Sequence, residues 1–148
     1  MITITRRVED YLEAIYTISL KKNYVRVKDI ASELNVRPAT VTEMVQKLGE
    51  MGLVSYEKHG PILLTSKGLE IGMSVKDRHD NLKKLLLIIG VPEDIAESDA
   101  CTMEHYLHPK TVEHIKKFVK FVETCPTTPK WIKHFKEYVD TGVHSCDR

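Results

Sequence analysis

Apolar residues return at three- and four-residue steps through the first stretch of the chain. Val8, Leu12, Ile15, Tyr16 and Leu20 share one face, which predicts an amphipathic helix from Thr5 to Lys22 with Thr5 as its N-cap. Val27, Ile30, Ala31 and Leu34 repeat the pattern over a shorter helix, Val27 to Leu34. After a break at Asn35-Val36-Arg37, Pro38 stands at a favourable first helical position, and Val41, Met44, Val45 and Leu48 carry a third helix to Gly49 or Met51. Two short helices joined by a break of this length outline a helix-turn-helix. The texture then changes to Leu53-Val54-Ser55-Tyr56, a polar Glu57-Lys58-His59-Gly60-Pro61 and Ile62-Leu63-Leu64, which predicts a short hairpin, a wing. Beyond Thr65-Ser66-Lys67-Gly68 a long helix runs through Ile71, Val75, Leu82, Leu85, Leu86 and Ile89 until Gly90 and Pro92 stop it. Further helices are expected at Glu93 to Leu107, Pro109 to Glu123 and Lys130 to Val139.

This order predicts a mainly α chain. A winged helix-turn-helix domain at residues 1–72 is followed by an all-helical domain at 73–148. The 148 residues, 42% of them hydrophobic, suffice for one sizeable domain or two small ones. Lys and Arg number 22 against 21 Asp and Glu, a net charge of +1, so any nucleic-acid partner must be read from a local motif. No apolar run approaches the ~20 residues of a membrane span. The opening Met1-Ile2-Thr3-Ile4-Thr5-Arg6-Arg7 lacks the order of a signal peptide, so a cytosolic protein with no membrane partner is expected. Three cysteines, Cys101, Cys125 and Cys146, are too few for a disulfide framework. Cys125 and Cys146, near His144, fit no zinc-finger spacing, and thiols are the expected state.

Two constellations carry candidate chemistry. The third helix bears Thr40, Thr42, Glu43, Gln46 and Lys47 on its polar side, with Arg37 at its start. Side chains of this kind meet phosphates and base edges in a major groove; the bland alternative is a helical hairpin with a solvated face. The expected DNA-contact set is Lys28, Arg37, Pro38, Ala39, Thr40, Thr42, Glu43, Gln46 and Lys47, with Lys58 and His59 of the wing on phosphates. The second constellation consists of metal-ligand types. Asp10 and Glu13 lie three apart on the first helix; Cys101, Glu104 and His105 follow at i, i+3 and i+4 on a later one; His79 stands midway along the long helix. Carboxylates with imidazole suit Mn²⁺ or Fe²⁺, and a thiolate shifts preference toward softer ions. Taken singly, each group reads equally as a solvated face or a core histidine. A metalloenzyme and a metal-free winged-helix interaction module are the alternatives from other classes; the absence of an HExxH motif and of a Gly-rich phosphate loop weighs against the first.

Taken together, several segments resemble the diphtheria-toxin-repressor family of metal-dependent transcriptional regulators, including its manganese-transport-regulator branch. They are Glu9-Asp10-Tyr11-Leu12-Glu13-x-Ile15-Tyr16, Asp29-Ile30-Ala31 to Leu48, Gly52-Leu53-Val54, Leu64-Thr65-x-x-Gly68, His79-x-x-Leu82 to Ile89-Gly90-Val91, and Cys101-x-x-Glu104-His105. The resemblance covers roughly residues 5–125. It implies a homodimer that binds Fe²⁺ or Mn²⁺, with Co²⁺, Ni²⁺ or Zn²⁺ as substitutes in vitro, and then a palindromic operator, repressing metal-uptake genes. It also implies a member without the C-terminal SH3-like domain of longer relatives. Asp10, Glu13, His79, Glu104 and His105 match ligands of the manganese branch, whereas Cys101 matches the iron branch, which in turn has Met at the place of Asp10. Where the iron branch has Glu four residues after the long-helix His and a His four before the Cys, this chain has Lys83 and Glu97. The resemblance thus implies one metal site around Asp10, Cys101, Glu104 and His105, joining the two halves, with a weaker second position near His79, Glu13 and Glu97. The continuous run Leu85-Leu86-Leu87-Ile88-Ile89 is expected to be buried on more than one side, partly against Ile115, Phe118, Val119 and Val122 and partly by a second subunit.

Overall fold

The computed structural model describes residues 3–145, and the chain divides into two compact units, Met1–Asp77 and Arg78–Arg148. In the first, α1 (Arg6–Ser19), α2 (Val27–Leu34) and α3 (Pro38–Glu50) precede the strands β1 (Val54–Tyr56) and β2 (Ile62–Leu64). The Thr5 hydroxyl accepts from the Val8 N–H at 3.2 Å, closing the first turn of α1 as its sequence predicts. The turn of the helix-turn-helix rests on Asn35, which ends α2 in the left-handed region at φ 53°, a conformation Asn tolerates better than most residues. Pro38 then begins α3, where a missing N–H costs nothing.

The wing is an antiparallel pair in the register Val54 to Leu64, Ser55 to Leu63 and Tyr56 to Ile62. Its inner strand also bridges backward, the Ile62 N–H donating to the Val25 carbonyl at 2.8 Å. One cluster unites Leu12 and Ile15 of α1, Ile30 of α2, Val41, Val45 and Leu48 of α3, and Leu53 and Ile62 of the wing, each within 1% of complete burial. The polar residues of α3 are thereby turned outward.

The helix α4 (Ser66–Ile88) begins in the first unit and continues into the second, which adds α5 (Glu93–Met103), α6 (Pro109–Thr124) and α7 (Lys130–Thr141). Gly90, at φ 97°, follows the end of α4, where the Val91 N–H returns to the Leu86 carbonyl at 2.9 Å and the Gly90 N–H to that of Leu87 at 3.1 Å. The predicted Glu93-to-Leu107 helix is shorter in the structure, ending at Met103. Glu104 still bonds back to the Ala100 carbonyl, but the Tyr106 N–H turns to that of Met103, and Pro109 opens a new helix close behind. The buried apolar residues of this unit are few: Leu82, Ala96, Ala100, Val112, Val119 and Ile132. Of the apolar run at the end of α4, Leu85, Leu86 and Ile88 are half-buried, whereas Leu87 and Ile89 remain 41% and 44% exposed. Among the described residues no helix is long and apolar enough to cross a membrane.

Candidate metal centre and DNA-facing helix

In the second unit the chemistry gathers around one imidazole. His79 sits on the inner side of α4, 3% exposed, and its two ring nitrogens face different partners. Nδ1 lies 2.8 Å from Oε2 of Glu104 and 3.6 Å from the Cys101 sulfur; Nε2 lies 2.9 Å from Oε1 of Glu97. Glu104 is 1% exposed, and its other oxygen is 3.2 Å from Nε2 of His105, whose side chain is equally buried. Such a carboxylate is costly to bury unless its charge is matched. Here the His79 imidazole stands 2.8 Å from it. The hydrogen bond to Cys101, and then that to Glu104, outweigh the burial of the His79 ring and raise its pKa to about 10, so the ring holds a proton at neutral pH.

The donor set fits a divalent ion. The ligand atoms of His79, Glu97 and Cys101 all lie within 4.8 Å of one another, while Glu104 stands at Nδ1, the ring nitrogen that Glu97 does not meet. Nitrogen, oxygen and sulfur donors together suit a borderline transition metal such as Fe²⁺ more than a hard ion such as Mg²⁺. Cys101 is exposed, which leaves the thiol within reach of solvent.

Glu97 is approached from a second side. Its Oε2 is 3.0 Å from the Lys83 ammonium, which also stands 3.6 Å from Glu93. Burial works against ionising Glu97, but the Lys83 hydrogen bond and the charges of His79 and Lys83 prevail and hold its pKa below the ordinary carboxylate value. Lys83 looks in the sequence only like a residue that cannot ligate. The structure gives it a definite partner, and the legible signal was spacing: His79 and Lys83 are one turn apart on α4, as Glu93 and Glu97 are on α5.

In the first unit Asp10 and Glu13 occupy α1, both half-buried, with Asp10 3.9 Å from the Arg6 guanidinium. Of the expected DNA contacts, Ala39, Glu43, Gln46 and Lys47 form an exposed face of α3, with Arg37 and Pro38 exposed at its start. Thr40 and Thr42 are half-buried, and the Thr42 hydroxyl donates to the Pro38 carbonyl at 3.1 Å, so it is already partnered. Lys28 is exposed on α2, and Lys58 and His59 are exposed at the turn of the wing, where His59 adopts φ 64°. Sequence reading gave Asp29 of α2 no role of its own. Its carboxylate accepts from the Arg26 backbone N–H at 3.0 Å and from the Lys22 ammonium at 2.7 Å, anchoring the start of the helix-turn-helix. Cys125 is half-buried at the end of α6, and Cys146 lies outside the described residues.

A helix-turn-helix with a wing, followed by a helical unit built around a buried, metal-fitting cluster, defines a class: a winged-helix DNA-binding protein with a metal-binding domain. The comparisons agree. Residues 3–61 match the family model of the iron dependent repressor N-terminal DNA binding domain, and residues 65–133 match that of the iron dependent repressor metal binding and dimerisation domain. The chain belongs to this family of metal-dependent transcriptional repressors. It is 40% identical over 129 residues to the HTH-type transcriptional regulator MntR of Bacillus velezensis, covering 87% of this chain and 91% of that one. With MntR of Bacillus subtilis it shares 39% over 133 residues, 90% and 94% of the two chains. Among solved structures, a manganese-dependent transcriptional repressor in complex with manganese superposes with a TM-score of 0.70 at 28% identity over 77% of this chain, and the manganese regulator SloR with 0.69 at 31% over 86%. The chain spans 53% and 60% of those two longer chains. Its named relatives are regulators of transcription, which sets the metalloenzyme alternative aside.

Proposed function

We propose that the protein is a cytoplasmic, homodimeric repressor that binds a palindromic operator upstream of metal-uptake genes when Fe²⁺ or Mn²⁺ is bound. One observation carries the reading: the Glu104 carboxylate, 1% exposed, meets His79 Nδ1 at 2.8 Å and lies 3.2 Å from the buried His105 Nε2, with the Cys101 thiol 3.6 Å from His79 Nδ1. A divalent ion supplies there the positive charge that a ring proton otherwise contributes. Cys101, Glu104 and His105 are its ligands in the second unit; Asp10 and Glu13 are candidate ligands in the DNA-binding head on the strength of the sequence resemblance. Metal and DNA binding are positively coupled, by roughly 1–3 kcal/mol. The recognition helices of the two subunits read half-sites about 34 Å apart, or a multiple of that. Leu87 and Ile89 supply apolar surface for the second copy.

A thiolate at Cys101 favours Fe²⁺ over Mn²⁺. The test is DNA binding to duplexes from the upstream region, titrated anaerobically with buffered Fe²⁺ and Mn²⁺, for the wild type and Cys101→Glu. Metal-dependent binding that shifts toward Mn²⁺ in Cys101→Glu is the expected result. No binding with any divalent ion overturns the function, and an unchanged preference removes Cys101 from the discriminating ligands.

A further inference from the structure

We propose that Glu43 is a specificity-determining residue of the DNA-binding head: its carboxylate accepts a hydrogen bond from the exocyclic amino group of one cytosine in each half-site, which fixes a cytosine–guanine pair at that position. The inference rests on the DNA-binding reading above and deepens it by naming the base.

The placement of Glu43 follows from the packing of α3. Val41, Met44, Val45 and Leu48 are at most 4% exposed and define the side of the helix turned to the core. With 3.6 residues per turn, Ala39, Glu43, Gln46 and Glu50 fall within about 60° of one another around the axis, on the ridge opposite that side. All four are exposed. Exposed Lys47 and half-buried Thr42 flank the ridge, and the Thr42 hydroxyl already donates to the Pro38 carbonyl. Among the described residues Glu43 makes no ion pair, although Lys47 stands one turn on in the favourable Glu-to-Lys order. The ridge therefore carries an uncompensated negative charge in its second turn. Glu50 lies at the far end of α3, whereas base edges are read mainly by the N-terminal residues of a recognition helix.

A carboxylate on that ridge has one favourable neighbour in DNA. Phosphates repel it, and it can only accept hydrogen bonds. In the major groove guanine offers O6 and N7 and thymine offers O4, all acceptors, while adenine sets its N7 acceptor beside the N6 donor. Cytosine presents the N4 donor with no acceptor next to it on the same base. Arg37 and Lys47 are exposed cations placed for phosphates, which hold the helix in the groove while Glu43 selects. Gln46, the neighbour on the ridge, both donates and accepts and so tolerates more bases. A wrong base pair sets the Glu43 carboxylate against an acceptor, so the same charge costs affinity wherever the cytosine is missing.

The experiment selects from a pool of random-sequence duplexes, bound anaerobically by the full-length protein with saturating Mn²⁺ or Fe²⁺, for wild type, Glu43→Gln and Glu43→Ala. Circular dichroism establishes that each is folded. The wild type is expected to select a half-site with one position fixed as cytosine. In Glu43→Gln that position alone changes to adenine, whose N6 and N7 a carboxamide pairs, and in Glu43→Ala it becomes indifferent. N4-methylcytosine at that position puts a methyl group on the groove-facing side of N4 and keeps the pair with guanine. It should weaken wild-type binding at least about tenfold and Glu43→Ala binding by less than about twofold. A wild-type half-site without a fixed cytosine, the same half-site for all three proteins, preferences blurred at every position in both variants, or equal sensitivity of wild type and Glu43→Ala to the methyl group overturns the inference and leaves the functional reading standing. No selected sequence for the wild type with either ion overturns the DNA-binding reading itself, and this inference with it.

Discussion

Two glycine-to-alanine changes in the DNA-binding head should act with opposite signs. Helix propensity alone predicts that Ala stabilises a helical position by about 0.5–1 kcal/mol relative to Gly. At Gly49, in α3, a new Cβ would find its nearest neighbour, the Val54 carbonyl oxygen, at 3.9 Å, an ordinary contact. Gly49→Ala should therefore realise the propensity gain. At Gly68, near the start of α4, the same atom would fall 2.0 Å from the Leu53 carbonyl oxygen and 3.0 Å from its carbon. The obstacle is backbone, so no rotamer relieves it, and α4 must withdraw by about 1 Å to reach a normal separation. That shift strains the bonds that seat α4 on the wing: the Thr65 N–H to the Leu53 carbonyl at 3.1 Å and the Thr65 hydroxyl to the Gly52 carbonyl at 2.8 Å. Two hydrogen bonds at about 1 kcal/mol each, with overpacking of about 1–3 kcal/mol, give a loss of roughly 3–5 kcal/mol, several times the propensity gain. For a unit of this size a loss of about 3 kcal/mol lowers the melting temperature by roughly 12–24 °C. Calorimetric melts, with hydrogen exchange on amides of α1 to α3 to report the head by itself, measure both changes. A Gly68→Ala protein within about 1 kcal/mol of wild type would refute the claimed close approach.

Three further outcomes are expected. Glu104→Ala should lose metal-stimulated DNA binding while sedimenting as a dimer; a normal metal response would remove Glu104 from the centre. Asp29 has its pKa lowered, chiefly by the Lys22 hydrogen bond, so its stabilising contribution is complete above its unfolded pKa of about 3.9 and disappears as pH falls through the lower folded value. Asp29→Asn should accordingly cost the head about 1 kcal/mol at pH 7 and flatten the acid limb of its stability curve; an unchanged acid limb would contradict the ion pair. Lys58→Ala should weaken binding to all DNA sequences and reduce the salt slope by about one unit, whereas Gln46→Ala should change sequence preference. Identical behaviour of the two variants would undo the division between wing and groove contacts.

The local elements were legible because each depends on neighbours in the chain. Periodicity marked the three head helices, Thr5 and Pro38 marked helix starts, and Gly90 with Pro92 marked the end of α4, since caps and breakers act within one turn. Residue types also exposed the candidate ligands, because carboxylate, imidazole and thiol at helical spacing limit the chemistry before any fold is known. One boundary failed for a local reason that periodicity does not register: α5 stops at Met103, where the chain turns before Pro109, leaving Glu104 and His105 at a helix end.

What the chain by itself determined, then, was the succession of elements, the outward face of α3 and the candidate groups for a cation or DNA. Tertiary structure decided their environments. His79 meets Glu104 across 25 positions of sequence, and only that meeting makes Glu104 a buried carboxylate instead of a solvated one. The same packing divides Glu97 between His79 and Lys83, brings Val25 to the wing through Ile62, and sets the Leu53 carbonyl where only hydrogen fits at Gly68. The physical reason is common to all four. Burial and charge pairing depend on distances between residues remote in sequence, and these distances are set by how the helices pack, which the period of a single helix does not contain.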